Sequence, residues 1–119
     1  MGQIAIEGIE LYAYHGCLEE ESKIGGKYRV DIYVETDYAE ASETDDLGKT
    51  VDYGQVYDIV KKEMAQRSKL IEHVARRIAN NLAKSIKQKA DYKVVLTKYQ
   101  PPVNGPLASC SVTWESSSK

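Results

Sequence analysis

The sequence predicts an α+β fold: an antiparallel four-stranded sheet with two helices on one face. Three observations carry this. Hydrophobic residues alternate with period two at both ends of the chain, the middle switches to a helical period, and the order is two strands, two helices, two strands. The 119 residues suffice for one domain with its own core, so residues 1–119 are expected to form a single domain.

Each element follows in turn. Residues 3–15, QIAIEGIELYAYH, alternate as a strand, with Ile4 and Ile6 on one parity and Ile9, Leu11 and Ala13 on the other. The parity switches at Gly8, as a bulge at a glycine would make it do. Residues 16–26, GCLEEESKIGG, read as an acidic, glycine-containing loop. Residues 27–38 form a half-buried strand, with Tyr28, Val30, Ile32 and Val34 inward. Its other face carries Arg29, Asp31, Tyr33 and Glu35, too polar for a second core layer. Residues 39–52 read as a loop ending in a helix cap at Thr50 or Asp52. From Tyr53 the stripe Val56, Ile59, Val60, Met64 marks one helix. Ser68 is a candidate cap for a second, striped by Leu70, Ile71, Val74, Ala75, Ile78, Leu82 and Ile86. A strand follows over YKVVLTKY, then the loop QPPVNGP and a last strand from about Leu107 to Glu115. In that strand Ala108, Cys110, Val112 and Trp114 share a face, and residues 116–119 are expected to fray. A sheet of four long strands leaves open edges, and pairing them between subunits is one remedy.

Composition excludes several classes. The net charge of −2, with basic residues dispersed, gives no electrostatic case for nucleic acid or an anionic membrane. No run of 18 apolar residues predicts a transmembrane helix, and MGQIAIEGIE lacks a secretory or myristoylation pattern. Cys17 and Cys110 stand far apart and form no CxxC, so reduced thiols and a cytoplasmic location are expected. His15 and His73 fall in no metal-ligand spacing, so no metal is expected.

Four segments carry possible chemistry, each with a plain structural alternative. AYHGCLEEE is either a solvated acidic loop or a source of carboxylates. TVDYG is an ordinary helix start or a presented tyrosine, Tyr53. In LIEHVA, Glu72 flanks the apolar stripe in a first helical turn; it either complements the dipole or grips a planar two-donor edge, as a carboxylate grips arginine. In LTKYQPPV, alternation puts Lys98 on the apolar face at the strand end. There it either snorkels or stands at a partly desolvated pocket as a proton carrier.

Taken together and in order, YHG-x8-G, TVDYGxV, LIEHVAxRIA and TKxxPPVxG resemble the dihydroneopterin aldolase family over about Ile4 to Trp114. The resemblance implies the ββααββ tunnelling fold. It implies sheets joined between subunits into a ring and two rings stacked as a homo-octamer, with active sites between subunits. It implies retro-aldol cleavage of dihydroneopterin to hydroxymethyl-dihydropterin and glycolaldehyde without cofactor or metal, with epimerisation to dihydromonapterin as a side reaction. By the same resemblance Glu72 anchors the pterin, the Ile71 backbone adds a contact, and Lys98 with water is the acid–base group. Tyr53, from a neighbouring subunit, exchanges a proton at the reacting carbon, with the Val51 and Asp52 backbone beside it. Glu21 orders water and substrate hydroxyls, with Glu20 as the alternative if the loop slips. Cys17 stands where the family carries an aliphatic residue and is expected to line the pocket. The rivals are dihydroneopterin triphosphate epimerase, a non-catalytic pterin or purine binder, and a purely structural ring-forming domain. No glycine-rich phosphate loop or dense basic cluster supports a triphosphate site. A binder would not need Lys98 and Tyr53 together.

Overall fold

The computed structural model describes residues 1–118. Strands β1 (Gly2–Ala13), β2 (Gly26–Thr36), β3 (Ala90–Tyr99) and β4 (Ser109–Ser117) form one antiparallel sheet in the order β1-β2-β3-β4. Helices α3 (Tyr53–Met64) and α4 (Ile71–Ser85) lie between β2 and β3 in the chain. This is the α+β tunnelling fold. Two short helices, α1 (Glu19–Ile24) and α2 (Ala39–Thr44), and a 3-10 turn at Leu47–Lys49 occupy segments read from the sequence as loops. Among the described residues no helix is long and apolar enough to cross a membrane.

The core is the inner face of the sheet against the two long helices. Tyr28, Val30, Ile32 and Val34 pair across from Lys98, Leu96, Val94 and Tyr92. Val56, Val60 and Met64 of α3 and Val74, Ala75, Ile78, Ala79 and Leu82 of α4 are buried in the same cluster. The pairing of β1 with β2 shifts register between Ile6 and Ile9, around Gly8 at φ 74°. That conformation suits glycine, and it produces the parity switch. Asp31 is the exception on the polar face: it is only 1% exposed. Its carboxylate accepts from the bulged Gly8 N–H at 2.7 Å and from Arg29 Nε at 2.9 Å, which satisfies the buried charge.

Several boundaries differ from expectation. Asp52 is the cap of α3, its carboxylate accepting from Gly54 N–H at 2.8 Å, whereas Thr50 ends the preceding turn. Ser68 does not cap α4; that position falls to Leu70, which makes no side-chain cap bond and is 52% exposed rather than part of the stripe. Residues 116 and 117 do not fray: Ser117 pairs with Asp91 and Ser116 Oγ donates to Asn80 Oδ1. Lys119 lies outside the described residues.

Tyr92 is buried on the inner face and, among the described residues, its hydroxyl has no hydrogen-bond partner. Burial pushes its phenol up to about 12. Removing an unsatisfied buried hydroxyl relieves its desolvation penalty, so Tyr92→Phe is expected to stabilise the fold by about 1 kcal/mol. Urea unfolding of the two proteins checks this; a variant less stable than the parent would contradict it.

Candidate active site

The end of β3 decides the direction of Lys98. Lys98 stands opposite Tyr28 in the β2–β3 register, on the helix side of the sheet. It is not immersed in the core because β3 ends at Tyr99, and Pro101 and Pro102 follow. Its Nζ donates to the main-chain carbonyl of His15 at 3.2 Å and forms an ion pair with Glu21 Oε2. The two side chains are only 16% and 14% exposed. The Tyr28 ring lies beneath, its centroid 5.9 Å from Nζ.

Glu21 reaches Lys98 because α1 carries it there. Three glutamates followed by a lysine favour a helical turn, with Glu19 and Lys23 paired at 2.9 Å. Gly25, at φ 74°, stops it. The other oxygen of Glu21 accepts from Leu18 N–H at 3.2 Å, so both oxygens are engaged. Gly16, at φ 144°, sits so close that a side chain there would run into the Glu21 carboxylate. Glu20 makes no hydrogen bond with Lys98; it lines an adjoining hollow with Tyr28, Tyr99 and Gln100.

A groove of about 330 Å³ runs from Lys98 and Glu21 to the start of α4. That lies at the lower end of the range for small-molecule sites. Cys17, Leu18 and Pro102 line it, with Leu70, Ile71 and Glu72 at the far wall. Cys17 is exposed and its thiol donates to the Lys69 carbonyl at 3.6 Å. Ile71 and Glu72 are the first two residues of α4, and Glu72 is exposed. Among the described residues its carboxylate has no ion-pair partner, and the helix N-terminus favours its charge.

Tyr53 and Asp52 are not brought to this groove. Tyr53 opens α3, is 71% exposed, and lines a separate concavity with Ile6, Asp52, Gly54, Tyr57 and Asp58. Val51 beside them is buried. The groove therefore holds Lys98, Glu21, Glu72, Ile71 and Cys17, and a second surface holds Tyr53 and Asp52.

His15 is the residue whose part the sequence did not reveal. It is fully buried, and its Nδ1 accepts from Ser68 N–H at 3.1 Å, so the proton sits on Nε2. Among the described residues Nε2 has no hydrogen-bond partner. Its pKa is lowered to about 4, first by burial and then by the nearby Arg77 charge, with the Met64 backbone acting in the opposite direction. The unfolded ring takes up its proton near pH 6.5, so stability is fully present above that pH and falls as pH drops towards about 4. The loss over that window is about 3 kcal/mol. Urea unfolding at pH 7 and pH 5 should show part of it. His15→Asn, which keeps an acceptor for Ser68, should show a smaller drop; an identical drop would contradict the assignment.

Three comparisons bear on the chain. The family model described as dihydroneopterin aldolase (FolB) matches residues 4–115. The dihydroneopterin aldolase of Bacillus subtilis is 34% identical over 113 residues, covering 94% of each chain. That of Staphylococcus epidermidis is 41% identical over 103 residues, covering 86% of this chain and 85% of its own. Among solved structures, the Escherichia coli dihydroneopterin aldolase in complex with neopterin superposes with a TM-score of 0.87 at 23% identity, covering 98% of this chain and 99% of its own.

Proposed function

The chain belongs to the dihydroneopterin aldolase family and is an aldolase of that kind, and we propose how its own residues carry the reaction. The substrate is 7,8-dihydroneopterin and the products are 6-hydroxymethyl-7,8-dihydropterin and glycolaldehyde. The observation that carries the proposal is the placement of Lys98, fixed by Glu21 and His15, at one end of a groove whose other end presents the Glu72 carboxylate. The neopterin held by the Escherichia coli relative supports a pterin as the ligand class.

Glu72 accepts from the ring N–H and amino group of the pterin, a flat two-donor edge, and the Ile71 backbone adds a contact. The side chain of the substrate then extends towards Lys98, past Cys17. Lys98 passes its own proton to water, and its neutral amine then takes the proton from the second side-chain hydroxyl. The bond between the first and second side-chain carbons breaks, and the oxygen becomes the aldehyde oxygen of glycolaldehyde. The electron pair passes into the dihydropterin ring, which is its own electron sink. A proton returned to the exocyclic carbon gives the hydroxymethyl product. Glu21 holds Lys98 and orders water and the substrate hydroxyls.

Tyr53 supplies the returning proton from a second copy, with Val51 and Asp52 forming that wall. Two observations support a shared site. Tyr53 is exposed and lines no part of its own chain's groove. Strands β1 and β4 also form sheet edges open to another strand. Closing those edges between copies makes a ring, and two stacked rings make the proposed homo-octamer. The free thiols of Cys17 and Cys110 support a cytoplasmic setting.

Incubation of the purified protein with dihydroneopterin, followed by chromatography, tests the reading. Glycolaldehyde and hydroxymethyl-dihydropterin in equal amounts are expected, with some dihydromonapterin. An epimer alone, or no change at all, would overturn it.

A further inference from the structure

We propose that Arg67 is a positioning residue for the cleavage, because it fixes the main-chain carbonyl at which Lys98 is seated. The inference rests on the acid–base reading of Lys98. The His15 carbonyl accepts from Lys98 Nζ at 3.2 Å and from the Tyr28 hydroxyl at 2.7 Å. Where that carbonyl points depends on the peptides on either side of it. The carbonyls of Tyr14 and Gly16 are both taken by Arg67, through Nε at 3.0 Å and Nη2 at 2.7 Å. One guanidinium thus holds the two carbonyls that bracket His15.

The clamp is needed because the segment is intrinsically loose. Gly16 lies at φ 144°, in a region a glycine enters and leaves at little cost. The main chain contributes one bond from Gly16 N–H to the Ser68 carbonyl at 3.0 Å. Arg67 adds two charge-assisted bonds in a planar fork, which a single ammonium could not reproduce. Arg67 itself is exposed and lies between α3 and α4, outside the core cluster. Its loss therefore leaves core packing intact while the His15–Gly16 peptide is left with fewer restraints, the Tyr28 hydroxyl and the Ser68 carbonyl among them. Lys98 would then lose its firm seat at the His15 carbonyl, and its Nζ would drift from the substrate hydroxyl. Glu72 and Ile71 ride on α4 and would keep their places.

The test is a double-mutant cycle on the full-length protein, reading kcat together with the dissociation constant of the product hydroxymethyl-dihydropterin. Arg67→Ala is expected to lower kcat by about 10- to 100-fold, the scale of a misplacement near 1 Å. Product affinity should hold, and methylguanidinium should restore part of the rate. In a Lys98→Ala background the same change should cost almost nothing further. Arg67→Lys, with one donor centre, should resemble Arg67→Ala and stands in for it if the alanine variant does not fold. An unchanged kcat, or a loss that adds in full to that of Lys98→Ala, overturns the inference. Lys98→Ala with normal turnover would sink the acid–base reading and this inference with it. An inactive Lys98→Ala beside a fully active Arg67→Ala sinks the inference alone.

Discussion

Lys98→Ala is expected to lower kcat by roughly 10²- to 10⁴-fold, the range of a positioned acid–base group, with pterin affinity nearly unchanged. The split follows from the geometry. Lys98 sits at the end of the groove away from Glu72, and its contacts are Glu21, the His15 carbonyl and the Tyr28 ring. None of these belongs to the wall at the start of α4. Glu72→Ala should divide the other way. It removes two charge-assisted hydrogen bonds, each worth about 1.5–3 kcal/mol, so binding should weaken by about 10²-fold or more. Single-turnover rates at saturating substrate, read beside a titration with the product pterin, separate the two effects. Normal turnover by Lys98→Ala would contradict its role. Tight pterin binding by Glu72→Ala would contradict the anchor.

The second large effect concerns stability. Arg77→Ala is expected to destabilise the fold by about 3–5 kcal/mol, as breaking one side of a buried pair does. Arg77 Nη1 donates to Glu63 Oε1 at 2.7 Å and to the Glu63 carbonyl at 2.8 Å. Its Nη2 reaches the Gln66 carbonyl at 3.0 Å and Ser68 Oγ at 3.1 Å. One guanidinium therefore ties α4 to the end of α3 and to the connection between them. The Glu63 side chain is 10% exposed, and without Arg77 its charge keeps, among the described residues, only the Asn81 amide at 2.7 Å. Urea unfolding measures the loss. Replacing both partners, Arg77→Met with Glu63→Met, should recover much of it, since the cost lies in the orphaned charge. The Arg77 charge also helps keep the His15 ring neutral. Arg77→Ala should therefore also shrink the stability lost as pH falls from 6.5 towards 4. A variant as stable as the parent would contradict the whole arrangement.

Local rules made parts of the site legible before any coordinates. Alternation along YKVVLTKY put Lys98 on the helix side, and the structure places it there opposite Tyr28. The parity switch at Gly8 is a register shift, and Asp52 caps α3. What escaped depends on distant partners. The helix at Glu19–Ile24 is six residues long, too short to display a 3.6-residue period, yet it aims Glu21. Asp31 looks solvated by alternation and is buried because a bulge 23 residues away offers it an N–H. His15 is buried through Ser68, 53 positions along the chain, and no local pattern announces that pairing. Leu70 fits the apolar stripe by spacing but precedes the helix, so it is exposed at the groove. Tyr53 is a different case, because the partner proposed for it is a second copy of the chain.

That shared site is the central claim, and mixing two inactive variants tests it directly. Lys98→Ala and Tyr53→Phe subunits, each defective alone in forming hydroxymethyl-dihydropterin, would be co-expressed or unfolded and reassembled together. A site that takes Lys98 from one copy and Tyr53 from another is intact only when each comes from the variant that retains it. Random assembly should restore about a quarter of the parent's sites, and formation of hydroxymethyl-dihydropterin should rise to match. Hydroxymethyl-dihydropterin formation no faster than the average of the two variants assayed alone would show that Lys98 and Tyr53 do not meet across subunits.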